Sequence, residues 1–229
     1  MTTPTATAAA TERLRRAIIR AELPPSSAMS EQQLTDRFGL SKAAVRAALA
    51  RLRGEGLVHA EPRRGHVVAP LTLRDVREVY DLRLLVEPGG AAAATGRVDT
   101  VALERLVDTI AAPVDVDDPD AVDRFLAANR QVHVTIAEAA GNRRLAALVE
   151  RLLDESERAL VVALHTGIVA DGLRVHDEHL TIVGALRLGD PAAAARAMES
   201  AIRRFRADLL DTLAATPAIL DATLTGGPR

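Results

Sequence analysis

Six histidines, no cysteine and a run of paired arginines bound the chemistry open to this 229-residue chain. Asn129 and His133 stand four residues apart, so on a helix they share one face. His176 and His179 stand three apart further along. Imidazole is a common ligand of divalent metals and a proton-transfer group near neutral pH, which makes these four side chains candidates for holding a small molecule or a metal ion. Arg83 precedes Glu87 by four residues. Its planar guanidinium can clamp the carboxylate of a small organic acid through two parallel bonds, or pair with Glu87 on its own helix. A second group, Ser41, Lys42 and Arg46, places two cations one turn apart, the spacing that reaches phosphates or a guanine edge. The absence of cysteine excludes disulfides, thiolate catalysis, iron–sulfur clusters and Cys-ligated zinc. The chain has no nucleophile elbow, phosphate loop or zincin motif, so an enzyme is not expected.

The elements that must position these residues read as mostly helical. Forty-four alanines support helix throughout. A first helix is expected over Thr11 to Ala21, ended by Pro24-Pro25. Ser30 with Gln33 three residues on forms a capping box for a second helix ending at Phe38, and Gly39 supplies a turn. Ser41 caps a third helix to about Arg53. Helix, glycine turn, cap, helix is the helix-turn-helix pattern. Two short β runs, Leu57 to Ala60 and His66 to Ala69, flank a basic turn of Arg63, Arg64 and Gly65. They read as a two-stranded wing whose tip, with His66, can meet DNA backbone or minor groove.

Pro70-Leu71-Thr72 marks a boundary, and the rest reads as an antiparallel helical bundle. Its helices are expected at about Leu73 to Val86 (interrupted by Pro88 and Gly89-Gly90), from Asp99, from Asp120 to Gly141, from Asn142 to His165, from Leu173 to Leu188, and from Asp190 onward. Three regions result: a winged helix-turn-helix at 11–70, an all-helical domain at 72–216, and a flexible tail at 217–229. Charge divides the same way. Residues 11–70 carry a net +5 and residues 71–229 a net −7, so only the head is suited to a polyanion. No apolar run is long enough for a membrane span and the N-terminus is unlike a secretory signal, so a cytoplasmic protein is expected.

The head resembles the GntR family of bacterial transcription regulators. Leu40-Ser41-Lys42-Ala43-Ala44-Val45-Arg46-Ala47-Ala48-Leu49 is similar to that family's recognition helix. Gly54-Glu55-Gly56-Leu57-Val58 and Arg63-Arg64-Gly65 are similar to the family's next segment, the wing. The family often has Arg at the positions of Gln32 and Lys42 and Glu at Ala47. These departures imply an altered operator preference. Its Gly-x-x-x-Pro-Gly-like turn is replaced here by Ala21-Glu22-Leu23-Pro24-Pro25-Ser26. The body resembles the FCD-type effector domain of the FadR subgroup through Arg83-x3-Glu87, Asn129-x3-His133, Ala140-Gly141-Asn142, Glu178-His179 and Gly189-Asp190.

The resemblance implies a homodimeric, ligand-responsive repressor. It would bind an inverted-repeat operator in double-stranded DNA and be released by a small organic acid. DNA contacts are implied at Gln32, Ser41, Lys42, Arg46, Arg63, Arg64, Gly65 and His66, and effector contacts at Arg83, Asn129, His133, His176 and His179. Metal-binding relatives hold Asp, His, His and His at the positions of Asn129, His133, His179 and Ala201, and coordinate zinc or a similar ion. With Asn129 and Ala201 there, a resident metal is not required. The alternatives are a helical metal-dependent enzyme and an adaptor without DNA affinity.

Overall fold

The computed structural model describes residues 6–110, 114–115, 118–165 and 172–215. They fall into two compact units that part between Thr72 and Leu73.

The first unit is built from α1 (Ala6–Ile19), β1 (Ala28–Met29), α2 (Glu31–Phe38), α3 (Lys42–Gly54), β2 (Val58–Glu61) and β3 (Gly65–Val68). Leu14 and Ile18 of α1, Leu34 of α2, Val45, Leu49 and Leu52 of α3, and Val58 and Val68 of the sheet form one buried cluster. Helix α1 begins more than a turn before Thr11, because Ala8 to Ala10 are strong helix formers and Ala10 is fully buried in that cluster. The wing has three strands, not two, in the order β1-β3-β2, all antiparallel. Two-residue β1 pairs Ala28 with Val67 and Met29 with His66. It is too short to show a period-two pattern in sequence. Leading into it, Ala21 at φ 56° and Ser26 at φ 64° both adopt the left-handed conformation.

Among its described residues, the second unit's regular elements are all helices: α4 (Leu73–Ala94), α5 (Thr100–Asp108), α6 (Pro119–Ala139), α7 (Arg143–His165), α8 (Gly172–Leu188) and α9 (Pro191–Ala214). Asp99, Asp118 and Asp190 cap α5, α6 and α9, each accepting from a backbone amide of the first turn. Asn142 does the same for α7 by accepting from Arg144 and Leu145.

The expected interruption of α4 is absent. The helix runs through Pro88 and both glycines to Ala94. A proline removes one i→i−4 bond and disfavours helix in the residue before it, here Glu87. Buried Arg83 and Glu87 are bonded across that same turn, and Gly90 packs so closely that a Cβ there would lie 3.3 Å from Leu145 Cδ2. Tertiary contact therefore holds the helix where local preference would end it. Residues 166–171, between two of the expected helices, and the tail expected at 217–229 lie outside the described residues.

Candidate functional site

Two sites emerge, one in each unit. In the first, Ser30 accepts from the Gln33 amide while Gln33 accepts from the Ser30 amide, completing the capping box that starts α2. Gly39 at φ 63° closes α2, and Ser41 accepts from the Ala44 amide to start α3. These caps fix the angle at which α3 leaves the turn, and they leave Lys42 and Arg46 exposed on its outer face. Arg46 is not free-standing. Its Nε and one terminal nitrogen donate to the two oxygens of Glu31 at 3.0 and 2.9 Å. That hydrogen bonding holds the Glu31 carboxyl below the usual carboxylate range, with Lys42 and His66 close enough to add to the pull. Gln32 donates to Asp36 at 2.9 Å.

At the wing tip, Arg63 sits at φ 67° and Gly65 at φ 82°. A Cβ at Gly65 would approach the Met29 carbonyl oxygen to 3.1 Å, so glycine is required there by both backbone and space. Arg64 donates to Glu61 at 2.8 Å, and His66 is half-buried opposite Met29.

In the second unit, α4, α6, α7, α8 and α9 surround a cavity of about 40 Å³. By volume it has room for about three waters or a small polar molecule. A chain of contacts crosses its wall. Arg83 Nε donates to Glu87 Oε1 at 2.5 Å. Glu87 Oε2 meets His133 Nδ1 at 2.6 Å, and His133 Nε2 faces His179 Nε2 at 3.3 Å. All four side chains are buried. The Arg83 guanidinium lies 5.0 Å from the Tyr80 ring centre, and one of its terminal nitrogens reaches Ser156 Oγ at 3.4 Å. Burial alone would raise the Glu87 carboxyl. Arg83 and His133 overcome it and hold the group down to about 2. Burial, with His133 adding to it, pushes the His179 imidazole down to about 3. His179 is therefore neutral at physiological pH. The contact between the two Nε2 atoms is a hydrogen bond only when one of them carries a proton.

The structure brings Arg83, Asn129, His133 and His179 to this one cavity. It does not bring His176, which instead lies 3.5 Å from Asp108 and 3.4 Å from Asp177. On α8 the three-residue step from His179 turns it away from the cavity. Two imidazole nitrogens 3.3 Å apart match the bite of neighbouring ligands on one tetrahedral ion, since bonds of about 2.0–2.1 Å give roughly that separation. Asn129, the third residue expected to serve a metal, lines the same cavity, and its neutral amide is a poorer ligand than a carboxylate. Ala201 lines the same cavity with a methyl group, and Glu87 is turned to the far side of His133. Among the described residues no three His, Cys, Asp or Glu side chains converge to hold a metal ion.

Tyr80 and Ser156 were not singled out by sequence; their helices cross only in the fold. Glu31 was also missed, though its place beside the Ser30 cap and one element before Arg46 was a usable signal.

This geometry agrees with comparisons to known proteins. Residues 6–68 match the gntR family of bacterial regulatory proteins, and residues 78–204 match the FCD domain. The chain belongs to the GntR family and carries an FCD domain. A relative of this GntR-family regulator is the HTH-type transcriptional regulator YdhC of Bacillus subtilis (strain 168). It is 27% identical over 145 residues, which span 62% of this chain and 63% of that protein. The HTH-type transcriptional repressor GlaR of Escherichia coli (strain K12) is 25% identical over 193 residues, 81% of this chain and 87% of that one. Among solved structures, E. coli McbR/YncC superposes with a TM-score of 0.77 at 19% identity, covering 91% of this chain and 99% of the other, which shows the shared fold. No helix among the described residues is long and apolar enough to cross a membrane.

Proposed function

We propose that this DNA-binding regulator is a homodimeric repressor of the FadR subgroup, released from an inverted-repeat operator by a small organic acid. The observation that carries the reading is the cavity of the second unit, a small chamber where Arg83, Asn129, His133 and His179 meet apolar side chains such as Leu126 and Ile202, in a chain whose first unit presents Lys42, Arg46, Arg63 and Arg64 outward. Its volume favours a short hydroxy or keto acid over an acyl thioester. Asn129, His133 and His179 supply hydrogen bonds to the hydroxyl or keto oxygen. Arg83 keeps its terminal nitrogens toward the ligand, and the long 3.4 Å contact to Ser156 is the bond an incoming carboxylate replaces. No metal takes part. The effector changes DNA affinity by binding one arrangement of the dimer better than another. The repressor GlaR, similar over most of its length, favours this sign of regulation.

The test is a gel shift on DNA upstream of the protein's own gene, with a panel of short hydroxy and keto acids. One member should release the DNA, and Asn129→Ala and His179→Gln should bind DNA normally but lose the response. DNA binding that no panel member alters would reject the effector assignment. Metal analysis of protein purified without chelators should find less than one equivalent.

A further inference from the structure

We propose that Glu31 is a specificity-determining residue of the DNA-reading surface: its carboxylate holds Arg46 so that the guanidinium presents one free edge to a guanine. The inference rests on the DNA-binding reading and adds to it a residue that never needs to touch DNA.

A guanidinium has two edges that can make paired hydrogen bonds: one formed by Nε with a terminal nitrogen, the other by the two terminal nitrogens. Glu31 occupies the first edge fully, at 3.0 and 2.9 Å. The second edge is left, on a side chain that is 67% exposed. That is the edge whose geometry matches guanine O6 and N7. A free arginine samples many rotamers and contacts phosphates as readily as bases. Held from behind, it loses that freedom before DNA arrives, so less is lost on forming the base contact.

Glu31 itself is firmly placed. It is the first residue of α2, directly after the bonded Ser30 cap, and its side chain is only 23% exposed. Its negative charge also lies among the cations Lys42 and Arg46 and next to His66. A carboxylate there weakens contact with any phosphate chain and leaves correctly docked base contacts unaffected. Both effects favour the cognate site over unrelated DNA. The bland account of an acidic residue in a first turn is interaction with the helix dipole. That account predicts a change in stability and none in base preference.

The test uses the full chain and a duplex selected by the wild-type protein from a random pool. Each guanine is replaced in turn by 7-deazaguanine, which removes N7. Wild type should lose about fivefold or more in affinity at one guanine per half-site, since removing N7 breaks one of the two bonds of a bidentate base contact. Glu31→Gln should lose about twofold or less at that guanine, while its affinity for a scrambled duplex rises. Glu31→Ala should behave the same way. Adding either change to Arg46→Ala should not alter base preference further. If both Glu31 variants keep the wild-type guanine sensitivity while folded, the inference is wrong and the DNA-binding reading stands. If the wild-type protein selects no duplex at all, both fall together.

Discussion

At the scale of single residues, the most constrained group is the buried run Arg83, Glu87, His133, His179. Burying charge is costly unless every charge is paired, and here each is. Arg83→Ala removes the partner of a 3% exposed carboxylate, and should cost about 3–5 kcal/mol in urea denaturation, as broken buried pairs do. This exceeds what loss of an effector contact alone would cause, so Arg83 variants do not isolate effector binding. His179 gives a pH signature. Its folded value near 3 lies below the ordinary 6.5, so between those values the unfolded chain binds one more proton. Stability is then full above pH 6.5 and declines as pH falls toward 3, by up to about 1.4 kcal/mol per unit. Glu87, held near 2 against 4.5, adds to the loss below pH 4.5. Glu178, raised by burial, opposes it in part. The difference between wild type and His179→Gln across pH 7 to 4 isolates the term: the variant's melting temperature should fall less steeply on acidification.

Elements show where local preference and fold disagree. The link from α1 to β1 carries two non-glycine residues, Ala21 and Ser26, at positive φ. These are the ends of the turn where the family resemblance implies glycine. A side chain with a Cβ is strained there, typically by 1–2 kcal/mol, and the greater unfolded-state freedom of glycine offsets part of the gain. Ala21→Gly and Ser26→Gly should each stabilise the protein by about 0.5–1 kcal/mol, measured by thermal or urea unfolding. No change, or a loss, would mean that the backbone relaxes out of that conformation. Arg63 is strained in the same way but lies at the wing tip. Arg63→Gly should raise stability and lower DNA affinity together, a pairing that a purely structural arginine would not produce.

For the whole molecule, charge divides the work: the first unit is basic and the rest acidic. Binding to DNA should weaken linearly in log salt, with a slope near 0.9 for each phosphate neutralised. In the proposed two-fold dimer every head is present twice. Arg64→Ala should therefore lower the slope magnitude by about 2 rather than about 1. A fall of about 1 would indicate that one head binds at a time.

What the sequence determined by itself were the features set by neighbours along the chain. Caps at Ser30 and Ser41, helix starts at Asp99, Asn142 and Asp190, and glycine at the ends of α2 and of the wing turn all act within a few residues. The helix-turn-helix and most helix ends followed from them. Tertiary structure alone decided what depends on contacts between distant segments. Helix α4 continues through Pro88 because buried side chains hold it. His179 enters the cavity and His176 does not, Glu87 of α4 is met by His133 of α6, and the charge of Arg46 is taken up by Glu31. Those outcomes turn on burial and on which charges lie within hydrogen-bonding reach, and separation along the chain encodes neither.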